Sequence, residues 1–99
     1  MKIKEGVHIP GLKVQMRPVL SIADKIWNKL GHELVLTSAL DGTHSAGSLH
    51  YYGFALDLRS RFFTPDQKNQ AVLLLAKALG PDYEIISHAT HIHIEYDPK

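Results

Sequence analysis

An α+β domain, with a small and mostly antiparallel sheet of about four strands and two helices on one face, is the fold this sequence predicts. Three observations lead to it. Two stretches carry apolar residues at helical spacing, and four short stretches carry strand signals. Their order is α-β-loop-β-α-β-β.

Residues 1–16 read as an irregular arm with a turn at Ile9-Pro10-Gly11. The first helix covers residues 17–31. Pro18 suits its first turn, Val19, Ile22, Ala23, Ile26 and Leu30 recur at helical spacing, and Gly31 suits its end. Trp27 falls at the edge of that apolar stripe, where packing is its expected role. Residues 32–38 are rich in branched side chains and predict a strand. Residues 39–52 are polar and glycine-bearing, a loop long enough to carry function. Residues 53–59 alternate: Phe54, Leu56 and Leu58 point to the core, and Ala55, Asp57 and Arg59 line the other face. Thr64-Pro65-Asp66-Gln67 opens the second helix with a capping-box pattern, and Gly80-Pro81 stops it after Ala71, Leu74, Leu75 and Leu79. Strands follow at 83–87 and 91–96. In the last, His91, His93 and Glu95 share one face, and Ile92, Ile94 and Tyr96 the opposite one.

The 99 residues are expected to form one domain, 1–99, with roughly 60–70% of the unfolded chain's surface buried. A net charge of +1 with scattered Lys and Arg argues against nucleic acid as a partner. The absence of cysteine excludes a disulfide framework, thiolate zinc sites and a cysteine nucleophile, so a metal would be held by imidazole and carboxylate. No apolar run follows the lysines at the start, and the longest apolar stretch, residues 71–76, is too short for a bilayer. The expectation is a monomer without a signal peptide or membrane partner, made in the cytoplasm.

Histidine is the unusual residue. Of seven, five (His44, His50, His88, His91 and His93) fall in two clusters, 43–57 and 88–93. Neighbouring strands lie about 4.8 Å apart, so Asp57 on one non-core face can meet His91 or His93 on another. His50 precedes Asp57 by seven residues, and Gly53 would let the backbone bring it back over the strand. Two imidazoles and a carboxylate make a three-ligand zinc site with an open fourth position, the catalytic rather than the structural arrangement. Taken alone, an H-x-H pair on a strand is more often solvated than metal-binding. The pattern S-x-H-x-x-G-x-A-x-D (Ser48, His50, Gly53, Ala55, Asp57) weighs against coincidence, with a chance probability on the order of 10⁻⁴ or less from average residue usage.

Residues 48–57, followed by His91-Ile92-His93, resemble the M15 family of zinc peptidases, in the wider group of D-alanyl-D-alanine carboxypeptidases, lysostaphin-type enzymes and the Hedgehog signalling domain. The resemblance runs over residues 34–96 in element order, and the size is similar to the minimal core of phage endolysins. It implies zinc bound by His50, Asp57 and His93, on the sheet face away from the helices. The glutamate that many members carry three positions before the last zinc histidine is Thr90 here, and Asp41-Gly42-Thr43 stands where an arginine is common. Histidines surround the implied zinc instead, as in the penicillin-insensitive murein endopeptidase branch. His91 is the implied base or oxyanion stabiliser, with His88 and His44 on the opposite wall.

Other residues weigh as follows. Ser48 is expected beside the ligands, Arg59 against a substrate carboxylate and Tyr51 stacked on substrate, the rival for each being an ordinary loop or surface role. Tyr52 is placed with Tyr51. Glu84 and Glu95 are reserve bases whose more ordinary reading is a solvated sheet edge. Arg61 is expected to be solvated, and His8 and His32 structural. The resemblance implies hydrolysis of peptidoglycan stem peptides or crosslinks, as carboxypeptidase or endopeptidase at a D-amino acid, after release through a phage pore or from a virion. The alternatives are a non-catalytic zinc-binding module and a metal-free phage structural domain.

Overall fold

Val19, Ala23, Ile26 and Trp27 form the buried face of helix α1, Arg17–Lys29, in the computed structural model, which describes residues 1–5, 14–38 and 55–96. Leu30 caps the helix, and Gly31 follows at φ +87°, a left-handed conformation that costs glycine little. Helix α2, Pro65–Leu79, opens with the expected capping box. The Thr64 hydroxyl accepts the Gln67 N–H at 3.2 Å, and the Gln67 side chain accepts the Thr64 N–H at 3.0 Å. The Gln67 amide also donates to the Leu30 carbonyl at 3.3 Å, so one side chain serves the start of α2 and the end of α1.

The sheet has five strands: β1 (Lys2–Ile3), β2 (Val35–Ser38), β3 (Ala55–Arg59), β4 (Tyr83–Ser87) and β5 (His91–Tyr96). Their spatial order is β1-β2-β3-β5-β4, antiparallel except for the parallel β1–β2 pair. The first strand corrects the expectation of four strands and an irregular arm. The N–H groups of Lys2 and Lys4 donate to Leu34 and Leu36 carbonyls at 2.7 and 2.9 Å. Two residues carry no readable alternation; the open edge of β2 recruits them through the backbone alone. A 3₁₀ turn, Val14–Met16, leads into α1 and buries Met16 completely. The expected turn at Pro10 and the loop 39–52 lie outside the described residues.

Leu56 and Leu58 of β3 and Ile92 and Ile94 of β5 are fully buried, in one cluster with Val19, Ala23, Ile26 and Trp27 of α1 and Ala71 and Leu75 of α2. The helices therefore cover one face of the sheet and leave the other to polar side chains. Among the described residues, no helix is long and apolar enough to cross a membrane.

Trp27 does more than pack. Its ring lies 5.1 Å from that of Phe63, and its indole N–H donates to the Arg59 carbonyl at 2.9 Å, fixing the end of β3 against α1. Trp27→Phe leaves that carbonyl without its donor. Urea denaturation should show a loss of about 1–3 kcal/mol. A change within about 0.5 kcal/mol would mean that the hydrogen bond does not hold the strand.

Candidate metal and reaction centre

The polar face is arranged by the pairing of β3 with β5. Their register sets Asp57 opposite His93, Arg59 opposite His91 and Ala55 opposite Glu95. Because Leu56, Leu58, Ile92 and Ile94 occupy the core, strand alternation sends Asp57, Arg59, His91, His93 and Glu95 to the other side.

His93 sits at the centre. Its Nδ1 is 2.7 Å from Asp57 Oδ1 and its Nε2 is 2.6 Å from Glu95 Oε1, with the histidine side chain only 11% exposed. Burial lowers the proton affinity of the ring. The hydrogen bonds and charges of Asp57 and Glu95 together outweigh that and raise its pKa above the usual histidine value. Thr37 steadies the strand beneath, its hydroxyl donating to the Asp57 carbonyl at 3.2 Å. The β2–β3 register shifts at this point, between Leu36 and Ser38, an irregularity typical of strands beside a site.

His91 stands next to this line. Its Nε2 is 4.0 Å from Asp57 Oδ1, its Nδ1 is 3.2 Å from the Thr90 hydroxyl, and its ring stacks on His88 at 4.6 Å. Lys68 pins the turn between β4 and β5, donating to the carbonyls of His88 and Ala89 at 2.7 and 3.2 Å. Nothing in the local sequence marked Lys68 for that task, because it reaches across from α2.

The donor set suits zinc in kind. Asp57 Oδ1 and His93 Nδ1 are the oxygen and nitrogen ligands that zinc accepts. Two such donors on a tetrahedral ion stand about 3.3 Å apart, so the pair must open by roughly half an ångström to admit one. Glu95 would then be the carboxylate that fixes the ring through its other nitrogen. Among the described residues, no three His, Asp or Glu side chains are grouped to hold an ion. The third expected ligand, His50, lies outside the described residues, as do His44, Ser48, Tyr51 and Tyr52.

Of the expected residues, Asp57 and His93 are brought together, with His91, His88 and Arg59 around them. Glu95 departs from the solvated-edge reading, because His93 engages its carboxylate; the spacing of two along β5 was the available signal. Glu84 is exposed on β4, at the sheet's edge, and keeps that reading. His32 stacks on Phe62 at 4.5 Å, a packing role, and His8 lies outside the described residues. A cavity of about 490 Å³ lies elsewhere, between α1 and α2, lined by Ile22, Lys25, Ile26, Leu74, Lys77 and Ala78.

The raised pKa of His93 has a pH signature in the chelator-treated protein. A group protonated more tightly when folded stabilises the fold fully below its unfolded value, about 6.5, and progressively less as pH rises through the folded value. Denaturation across neutral pH should show this decline in the wild type and not in His93→Gln. The same slope in both would assign it to another group. Neither a protein-family model nor a curated protein matches the chain.

Proposed function

We propose that this domain is a zinc-dependent peptidase acting on the peptides of bacterial peptidoglycan, with His50, Asp57 and His93 as ligands and His91 as the proton-handling residue. The observation that carries this reading is the Asp57–His93 pair, 36 positions apart in sequence and 2.7 Å apart on the polar face. These are two of the three positions at which the resemblance requires ligands. Zinc bound there would lower the pKa of its water to about 7 and polarise the scissile carbonyl.

The chain's own residues divide the remaining work. Glu95 accepts from His93 Nε2, leaving Nδ1 for the ligand role. Thr90 and His88 hold the His91 ring with Nε2 toward Asp57, where it can take a proton from water or donate to an oxyanion. His44 remains the candidate for the facing wall. A carboxypeptidase and an endopeptidase both fit this division, as does an origin in a phage lysis system.

A second reading, a zinc module without catalysis, is favoured by Thr90 at the position where many M15 members carry glutamate. The third, a metal-free structural domain, is separated from both by metal content.

About one zinc per chain is expected by mass spectrometry of the purified protein, removable by chelation. No zinc, and none taken up on addition, would sink the reading. His50→Ala, Asp57→Ala and His93→Ala should each abolish stoichiometric zinc. His91→Ala should keep zinc and lose about 10²-fold or more of peptidoglycan-fragment hydrolysis. A zinc-loaded wild type inert on such fragments would favour the non-catalytic module. Glu95→Ala should weaken zinc about 10–100-fold, read by competition with a chromogenic chelator; unchanged affinity would show that Glu95 does not orient the ligand.

A further inference from the structure

Beside the Asp57–His93 pair, at the end of β3, the polar face opens into a cavity of about 250 Å³ lined by Lys4, Thr37, Arg59, Arg61, Thr90 and His91. Among the described residues of this lining, three are cations and none is a carboxylate. They come from two stretches: Lys4 follows β1, while Arg59 ends β3 and Arg61 lies two residues beyond it. Among the described residues, no salt bridge engages Lys4, Arg59 or Arg61. Asp57, 4.0 Å from the lining residue His91, is bonded to His93.

Like charges gathered on one wall repel, and a bound anion would offset that repulsion. Arg59 stands directly opposite His91 across the β3–β5 pair, and a guanidinium there can hold two oxygens at once. Thr90 adds a hydroxyl at the rim.

We propose that the cavity is an oxyanion site, which binds a carboxylate or phosphate group of a small ligand through Arg59, Arg61 and Lys4. The site uses none of the proposed zinc ligands and does not rest on the peptidase reading. Its position means that a molecule held by its anionic end here has its adjoining atoms beside His91 and Asp57.

The test is a titration of the purified, chelator-treated chain with inorganic phosphate and, separately, with N-acetyl-D-alanine, at low ionic strength and followed by amide NMR shifts. Saturable shifts at Arg59, Arg61, Thr90 and His91 are expected, with affinity reduced about tenfold or more in the R59Q/R61Q double variant. Saturation by phosphate alone, by the carboxylate alone or by both supports the site and says which head group it takes. No saturable binding of either, or equal affinity in the double variant, overturns it. Arg61 is exposed, so R61Q alone keeps the test open if the double variant fails to fold. Zinc content measured on the same samples reports separately on the metal site.

Discussion

The register between β3 and β5 is the constraint on which the rest of the polar face depends. Leu56, Leu58, Ile92 and Ile94 fill the core between the sheet and the two helices, and their burial leaves one allowed alignment of the strands. A slip of one residue would send the two aspartate and histidine positions into the core and four aliphatic side chains into water. Hydrophobic burial, which knows nothing of chemistry, therefore sets the 2.7 Å approach of Asp57 to His93. Around this pair the fold adds supports from other elements: Trp27 at the end of β3, Thr37 beneath Asp57, and Lys68 on the turn before β5.

The line Asp57–His93–Glu95 is a buried imidazole between two carboxylates. Such an arrangement holds a positive charge, either a proton or a metal ion, because two negative groups in a partly desolvated place need one. A metal ion at this centre would compete with the proton for Nδ1, which would couple its occupancy to pH. Glu95 keeps its role in both states, since Nε2 carries a hydrogen either way. The fold brings the two acids and the histidine together through the pairing of β3 with β5.

Much of this was legible residue by residue. The caps at Thr64, Gly31 and Gly80, the helical stripes and the alternation of residues 55–59 and 91–96 are local patterns, and the elements follow them closely. That Asp57 and His93 would share a face also followed from alternation. The first strand did not, because a two-residue strand has no period to read and exists only through its partner's edge. Glu95 looked like a solvated edge residue because β5 could have been an outer strand; β4 takes the edge instead and leaves β5 inside the sheet.

Sequence by itself determined which face of each strand its polar and apolar side chains take and where each helix stops, since these depend on neighbours within a few positions. Only the tertiary structure decided that β3 lies beside β5, that Arg59, Arg61 and Lys4 converge on one cavity, and that Trp27 and Lys68 brace the strands from the helices. Most of those contacts join residues far apart in the chain, and their partners are selected by how the helices and sheet close over a common core, not by any local preference of the chain.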